Sequence, residues 1–281
     1  MAIHAQNVSV KRKSLAGNRH PLKNRRVFAW VIKRLIRGWS PEQISGRMKL
    51  VFSDNLKMRV VPETIYSFIY SDEFKHRKFW EYLPWKRRKR SHKYGRKVYL
   101  ASIPDRISIH DRPVAVDQKL EFGHFEGDSV EGLGHRNGVH TEVERVSRKY
   151  FVKLVDSINS EEAAKAQLEI FGSLPDFARK STTLDNGREN HLHTKLKELG
   201  MNTYFADPYS SWQRGSNEYH NGLLRRYFPK RTDFRTVAQE EIDDVVEEIN
   251  NRPRKCLEYY TANEVFFAKL NNLKVAIRSG M

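Results

Sequence analysis

At 281 residues, the chain is long enough for one large domain or two modest ones, each with its own core. A hydrophobic fraction of 39% excludes an intrinsically disordered polymer, although 30% of the residues are charged. No run approaches the ~18 apolar residues of a membrane span, and the N-terminus lacks the apolar stretch of a secretory signal. We therefore expect a cytoplasmic protein with no membrane partner. A single cysteine, Cys256, excludes an internal disulfide and a cysteine-based zinc cluster.

The net charge of +17 is concentrated in the first third of the chain. Residues 1–100 hold 25 Lys or Arg against 6 Asp or Glu, whereas residues 101–281 hold 26 against 28. Lys and Arg bind polyanions through phosphate contacts that release counterions. Because the basic run lacks the apolar face of a membrane-surface helix, double-stranded DNA is the expected partner.

Three short helices are predicted within this basic part. Residues 25–38 repeat apolar side chains at helical spacing and end at a glycine suited to a helix C-terminus. Ser40, Pro41 and Gln43 predict the capping box of a second helix, and residues 62–70 have the spacing of a third. Three such helices are typical of an all-α packing module or of a helix-turn-helix unit whose last helix enters the major groove. The positive charge favours the DNA-binding unit.

The next segment is too basic to belong to a core. Eight of the thirteen residues in 85–97 are Lys or Arg. Runs of like charge are usually solvated linkers, which accounts for the density of this run but not for its sign. We interpret this run as a linker that lies along the DNA and contacts it.

From about residue 112, the sequence alternates between strand and helix patterns. Three apolar, β-branched runs precede a helix that begins after Asn159 or Ser160, and "STTLDNG" is a short strand that ends in an Asn-Gly turn. A helix over 189–200, a strand over 201–207 and a longer helix complete the order βββαβαβα. This order predicts an α/β fold with a mixed sheet flanked by helices.

Three carboxylates lie where such a sheet would place a site. Asp128 is in the first strand, Asp185 at the carboxyl end of the fourth, and Glu218 on the helix after the fifth. Ligands of open sheets with parallel strands bind beyond the carboxyl ends of those strands. Converging carboxylates stay ionised only with a cation between them, and hard oxygen ligands suit Mg²⁺ or Mn²⁺. The alternative is that each acid is an ordinary surface or capping carboxylate, and periodicity alone leaves that open.

The helix that carries Glu218 has two predicted faces. Tyr219, Leu223 and Tyr227 recur at i, i+4 and i+8, so we expect them to face the core. Glu218 shares a neighbouring face of the helix with Asn221, and its side chain is expected to point towards the ends of the strands.

Several long blocks, in this order, resemble the catalytic region of one family of mobile-element enzymes. The blocks are "FGHFEGDSVEG", "TLDNGREN", "YFADPYSSWQRGSNEYHNGLLRRYFPKRTDF" and "INNRPRKCLEYYTANEVF". They look like those of the insertion-sequence-thirty family of bacterial DDE transposases, and "SPEQISGRMKL" with "ETIYSFIY" is similar to its helix-turn-helix region. The match covers most of residues 40–267 and implies a catalytic domain with an RNase H-like, retroviral-integrase fold.

The resemblance implies a catalytic and metal-binding triad of Asp128, Asp185 and Glu218 that holds two Mg²⁺ or Mn²⁺ ions. It implies cleavage of DNA at the ends of an insertion element and strand transfer into target DNA, in a homo-oligomer that is at least a dimer on DNA. The resemblance also implies that the protein is bacterial and associates with the nucleoid in the cytoplasm. The expected domains are a helix-turn-helix-like segment (1–84), a basic linker (85–111), the catalytic domain (112–270) and a C-terminal tail (271–281).

The chain departs from the family pattern at two places. Phe125 stands where the family usually has Trp, which we expect to alter packing rather than chemistry. Family members generally carry a further N-terminal helix-turn-helix, and this chain is expected to begin after it. The alternative function is therefore an N-terminally truncated or repurposed, non-catalytic DNA-binding remnant, whereas the complete triad favours the enzyme. A third reading is a free-standing RNase H-like nuclease without strand transfer.

Basic residues near the predicted site are the expected phosphate contacts. Trp212 either positions DNA or anchors the core. Glu126 shares the strand face of Asp128 and is interpreted as a neighbour of the metal ligands rather than one of them. For the basic loop after residue 250, the alternative to phosphate contact is compensation of helix C-terminal charge. The predicted DNA-binding residues are Arg87, Arg88, Lys89, Arg90, Arg214, Arg225, Arg226, Arg252, Arg254 and Lys255.

Overall fold

The computed structural model describes residues 22, 24–71, 73–83, 103–135, 137–208 and 210–272. The chain divides into two compact units. Four of the predicted DNA contacts lie outside the described residues, namely Arg87, Arg88, Lys89 and Arg90. No helix in the described ranges is long and apolar enough to cross a bilayer.

Among its described residues, the N-terminal unit contains three α-helices: α1 (Arg25–Ile36), α2 (Pro41–Val51) and α3 (Pro62–Ile69). The predicted capping box at the start of α2 is confirmed. The Gln43 amide donates to Ser40 Oγ at 3.3 Å, and the Ser40 amide donates to Gln43 Oε1 at 2.8 Å. The apolar stripes of the helices meet in one core that includes Val31, Leu35, Ile44, Met48, Ile65, Phe68 and Ile69.

Residues 253–260 also belong to this unit, although the sequence predicts them within the catalytic domain. Gln43 Nε2 donates to the Pro253 carbonyl at 2.9 Å, and the Arg47 guanidinium donates to the Tyr259 carbonyl at 3.2 Å. Gly46 permits this packing, since a Cβ at that position would lie 2.3 Å from the Tyr259 ring. The partners are more than 200 residues apart in the chain, so no local pattern indicates the contact.

The second unit contains a five-stranded mixed sheet in the order β3-β2-β1-β4-β5. β1, β2 and β3 are antiparallel neighbours, whereas β4 runs parallel to β1 and β5 parallel to β4. This arrangement confirms the predicted RNase H-like sheet. The strands are β1 (His124–Glu131), β2 (Gly138–Glu144), β3 (Tyr150–Val155), β4 (Ser181–Leu184) and β5 (Asn202–Phe205).

The segment before β1 packs against the sheet. The Phe205 amide donates to the Ile107 carbonyl at 2.9 Å, which extends the β5 edge, and a short helix α4 (Val114–Asp117) follows. Buried Arg112 donates to Thr183 Oγ1 on β4 at 2.8 Å. The sequence assigns residues up to 111 to the linker because this stretch has no strand or helix periodicity, yet residues 103–111 are part of the second unit.

Helices cover both faces of the sheet. The helices are α5 (Ser160–Gly172), α6 (Gly215–Leu224), α7 (Gln239–Asn250) and α8 (Ala262–Leu270). One core joins α6 and α7 to β1, β2 and β3, and another joins α5 and α8 to Phe125. Phe125 is fully buried and packs edge-on against Phe171 at 4.9 Å between ring centroids, so this departure from the family pattern is a packing position.

The helix predicted over 189–200 is instead a pair of 3-10 turns, Arg188–Asn190 and His193–Leu199. Each turn is hydrogen-bonded to a different strand region, the first to the residue after β4 and the second to β5. Asn190 Nδ2 bonds Asp185 Oδ1 at 2.8 Å, and His193 Nδ1 lies 2.6 Å from Thr203 Oγ1. The tighter 3-10 winding accommodates these two attachments within a few residues.

We predict that Ser40→Ala destabilises α2 by about 1 kcal/mol because the Gln43 amide loses its acceptor. Amide hydrogen exchange within α2 should become about fivefold faster. Ser67→Ala, at an exposed serine of α3, is the control and should leave exchange unchanged. Equal protection of α2 in Ser40→Ala and wild type would contradict the cap.

Candidate active site

Two of the three predicted acids lie together on adjacent parallel strands. Asp128 is on β1, and Asp185 directly follows β4. Their side chains are 27% and 33% exposed, so both are partly open to solvent. Arg214 Nη1 lies 3.3 Å from Asp128 Oδ1, and Arg214 Nη2 lies 3.1 Å from Asp185 Oδ2. One guanidinium therefore joins the two carboxylates.

The electrostatics of this trio favour a charged Arg214. Burial raises the pKa of Asp128, Arg214 opposes that shift, and the charge of Asp185 adds to it. Burial alone would lower the pKa of Arg214, but Asp128 and Asp185 raise it above the usual value. Arg214 Nη1 also donates to the Gly127 carbonyl at 2.9 Å. The sequence predicts Arg214 as a DNA contact, whereas the structure directs its guanidinium to the two acids.

Amide donors orient each carboxylate. Asp128 Oδ2 accepts from Asn221 Nδ2 at 2.9 Å. Asp185 Oδ1 accepts from the Gly187 amide at 2.9 Å and from Asn190 Nδ2 at 2.8 Å. The Asn-Gly turn after β4 thus contributes a hydrogen-bond donor to Asp185, the acid that precedes it. This bond explains the structural role of the glycine in the "TLDNG" block.

A further acid, Glu189, lies beside the pair. It is half-buried, and its pKa is raised by burial and by the charges of Asp185 and Asp128. A Cβ on Gly187 would lie 2.4 Å from Glu189 Oε2, so the glycine leaves room for this carboxylate. Sequence reasoning missed Glu189, and its only sequence signal is an acid four residues after Asp185.

Glu218, the third predicted acid, lies on α6 rather than on the sheet. It is exposed in the first turn of α6. Within the part of the chain that the structure describes, no group of three His, Cys, Asp or Glu side chains is arranged to hold a metal ion. The oxygen donors of Asp128 and Asp185 do fit a hard divalent cation, because the pair already shares one positive charge. The ligand role of Glu218 stays a prediction.

The buried face of α6 differs from the predicted one. Leu223 is buried as expected, but the prediction that Tyr219 and Tyr227 face the core is wrong, since they are 52% and 39% exposed. Asn217 and His220 are buried instead. A pattern based on hydrophobicity misses them because polar side chains enter a core when hydrogen bonds satisfy them.

The buried carboxylate of Glu126 fixes the start of α6 on β1. Its Oε2 accepts from the amides of Ser216 at 2.9 Å and Asn217 at 3.1 Å, and its Oε1 pairs with the Arg145 guanidinium. Asn217 Nδ2 returns a bond to the Glu126 carbonyl at 2.6 Å. A carboxylate at the first amides of a helix is favoured by their partial positive charge. Glu126 is therefore fully engaged in holding a helix, which agrees with its interpretation as a neighbour of the site.

The other predicted phosphate contacts divide by exposure. Arg226 and Lys255 are exposed, and half-buried Arg225 donates from Nη2 to the Glu131 carbonyl at 2.6 Å. Arg252 and Arg254 are only 2% and 5% exposed, so little of either side chain reaches solvent, and their phosphate contacts stay predictions. The Arg252 guanidinium donates to the Tyr227 hydroxyl, an internal role that a basic motif does not reveal.

No protein-family model matches the sequence. Over 242 residues, the chain is 39% identical to the transposase for insertion sequence element IS1086 of Cupriavidus metallidurans, covering 83% of this chain and 70% of that protein. It is also 37% identical over 244 residues to the transposase InsI for insertion sequence element IS30A of Escherichia coli, covering 84% and 63%. The chain belongs to the insertion-sequence-thirty family of transposases. The family resemblance of the sequence blocks is thereby confirmed.

This chain spans roughly two thirds of the length of the two relatives, namely 70% and 63%. Among solved structures, it is similar to the catalytic core domain of BIV integrase at a TM-score of 0.42 and 14% identity. That match covers 53% of this chain and 96% of that one. The fold assignment rests on the strand order and directions of the sheet itself.

We predict that Glu126→Gln lowers the free energy of unfolding by about 3 kcal/mol, because the buried Arg145 guanidinium loses its charged partner. Urea unfolding followed by far-UV circular dichroism measures the loss. Glu131→Gln, at an exposed position of the same strand, is the matched control and should stay near wild type. An unchanged stability for Glu126→Gln would contradict the anchoring role.

We predict that Arg214→Ala couples the stability of the protein to divalent cations. Without the guanidinium, two carboxylates repel each other, and a cost of about 2 kcal/mol corresponds to a fall in Tm of about 4–8 °C in EDTA. Added Mg²⁺ should restore Tm in Arg214→Ala by binding the folded state. Lys165→Ala, at an exposed position of α5, is the control. Absence of an Mg²⁺ response in Arg214→Ala would argue against a cation site at these acids.

Proposed function

We propose that the chain is a DNA transposase that cleaves phosphodiester bonds at the ends of an insertion element and transfers the freed strand ends into target DNA. The observation that carries the proposal is the pair of aspartates, Asp128 and Asp185, held by one guanidinium where β4 ends beside β1. The family supports it, because relatives at 37–39% identity are named transposases.

The proposed metal ligands are Asp128, Asp185 and Glu218, and the proposed cofactor is a pair of Mg²⁺ or Mn²⁺ ions. Such ions, when bound, activate the attacking oxygen and stabilise the leaving oxygen of an in-line phosphoryl displacement. Asp128 and Asp185 contribute hard oxygen donors that are partly open to solvent. The DDE assignment depends on Glu218, the one member of the proposed triad that lies on a helix rather than at the sheet.

The remaining residues of the site position these acids. Asn221 and Asn190 hold the two aspartates by their amide groups, and Glu126 fixes the first turn of α6 on β1. Glu218 follows Asn217, which is itself bonded to β1, so the backbone that carries Glu218 is held close to the strand. Arg214 neutralises the aspartates in this structure, and we propose that it turns to a DNA phosphate when cations take over that role.

DNA is the proposed substrate and partner, bound by the basic N-terminal unit and by the exposed cations near the site. Arg25, Arg26 and Lys33 are exposed on α1, Arg37 is exposed directly after it, and Arg226 follows α6. These positions suit phosphate contacts that hold the duplex without reading its sequence. We propose that the active form is at least a dimer on paired element ends.

A second candidate function is a non-catalytic DNA-binding protein. The observation that favours it is the placement of Glu218 outside any group of three potential ligands in the described residues. In that case Arg214 would remain the permanent partner of the two aspartates, and the fold would serve binding alone.

Cleavage of a supercoiled plasmid that carries element ends tests the proposal. Wild type should nick the plasmid with Mg²⁺ or Mn²⁺ and not in EDTA. Asp185→Asn and Glu218→Gln should lower the rate by about 100-fold or more, because each removes a proposed ligand of the ions that stabilise the developing negative charge, while DNA binding is retained. Glu240→Gln is the matched control, since Glu240 is also an exposed acid in the first turn of a helix.

The outcomes separate the candidates. A wild type that binds DNA but never cuts it with either ion supports the non-catalytic protein. Normal cutting by Glu218→Gln together with loss of cutting by Asp185→Asn would remove Glu218 from the site. Glu189→Gln then becomes the variant to test, since Glu189 lies beside the aspartates.

A further inference from the structure

Trp212 is the most exposed large apolar side chain among the described residues, with 74% of its surface accessible. It lies in the 3-10 turn Ser211–Arg214, directly before α6. Burial of an aromatic side chain is strongly favourable, so an indole left in water is informative. The exposure excludes the core-anchor interpretation of Trp212 and leaves the DNA-positioning one.

The backbone on the C-terminal side of Trp212 is held in place. The Asp207 amide donates to Gln213 Oε1 at 2.8 Å, and Gln213 Nε2 donates to Asp207 Oδ2 at 2.9 Å. Arg214, the next residue, is bonded to the Gly127 carbonyl and to both site aspartates. The indole therefore projects from a fixed turn, and its exposure is a built feature of the site.

The surroundings of Trp212 indicate what it binds. Arg214, two residues further, joins the aspartates, and Glu218 is exposed in the following turn. A second aromatic, Tyr219, is exposed directly after Glu218. Charged groups around exposed rings disfavour an apolar protein surface as partner. They suit a nucleotide, whose base stacks on an aromatic ring while cations bind its phosphate.

We infer that Trp212 stacks against an unpaired base of the DNA strand, next to the phosphate that is cut. The inference rests on the proposed function and names the part of the substrate that this turn holds. Bases beside a phosphate in a duplex are stacked on their neighbours, and a base displaced from the helix loses that stacking. Stacking on the Trp212 indole replaces this lost base stacking. The phosphate next to the displaced base is thereby held close to the two aspartates.

Equilibrium binding in EDTA tests the contact without requiring cleavage. The probe is a fluorescein-labelled duplex of mixed sequence with a short unpaired 3′ tail, prepared with normal and with abasic tail nucleotides. Both tails carry the same phosphates, so the ratio of their Kd values isolates the bases. Wild type should bind the normal tail about tenfold more tightly than the abasic tail, the scale of one base stacked on an aromatic ring.

Trp212→Ala should bring this ratio to about one, and Trp212→Phe should retain a clear preference because phenylalanine also stacks. Phe177→Ala is the matched control, since Phe177 is 51% exposed in the turn Asp176–Ala178 before β4, at the opposite end of that strand from Asp185. It should keep the wild-type ratio. A wild-type ratio in Trp212→Ala, or a ratio of one in wild type, would overturn the inference.

Plasmid nicking by the same proteins separates this inference from the proposed function. If wild type never cuts while the ratio depends on Trp212, the stacking contact is supported and the proposed catalysis fails. If wild type cuts normally and the ratio is indifferent to Trp212, only the stacking inference is overturned.

Discussion

The position of helix α6 on strand β1 depends on one buried carboxylate. Glu126 accepts the amides of Ser216 and Asn217 at the start of the helix and pairs with Arg145. A buried ionised carboxylate is costly unless hydrogen bonds and an opposite charge compensate it, and here both are present. The helix start is consequently fixed to the strand that carries Asp128. Arg214 before the helix and Glu218 within it take their positions from this attachment.

Arg214 explains how two aspartates stay close together on neighbouring strands. The pair would repel if both were ionised and unpartnered, and the guanidinium removes that repulsion while bonding each carboxylate. The same arrangement makes the pair ready for another cation of higher charge density. Arg214 balances the charge of the site here, and in the proposed function a cation from solution would take over that balance.

Local sequence patterns predict much of this architecture. The capping box at Ser40, the helix start at Asn159 and the strands around Asp128 and Asp185 depend on residues within a few positions of one another. The family blocks add the fold of the sheet. These features are predictable because the same few side chains both encode and stabilise them.

The features that sequence reasoning missed depend on distant partners. Arg252 reads as a phosphate-binding cation but bonds Tyr227, and Asn217 reads as a polar surface residue but bonds Glu126 and Thr141. Periodicity ranks residues by hydrophobicity, so it assigned the core face of α6 to tyrosines rather than to a satisfied asparagine. The distance from Glu218 to the two aspartates is likewise a long-range property, which three acids in a suitable order along the chain do not determine.

In the block "EGD" on β1, each of the three residues has a different structural role. Glu126 and Asp128 point to the α6 face of the sheet by strand alternation, where one anchors the helix and the other bonds Arg214 and Asn221. Gly127 lies between them and pairs in register with Glu142. A Cβ on Gly127 would lie 2.5 Å from Glu142 Oε1, so a side chain there is excluded.

Glu142 itself is fully buried on the other face, where it accepts from Thr182 at 2.8 Å and from Gln167 at 3.0 Å. The strand that carries Asp128 is therefore held by satisfied polar groups on both faces. Such networks are costly when any partner is missing and rigid when all are present. Replacing Gly127 would disturb the network beneath the strand and, through the backbone, the aspartate next to it, although glycine contributes no chemistry of its own.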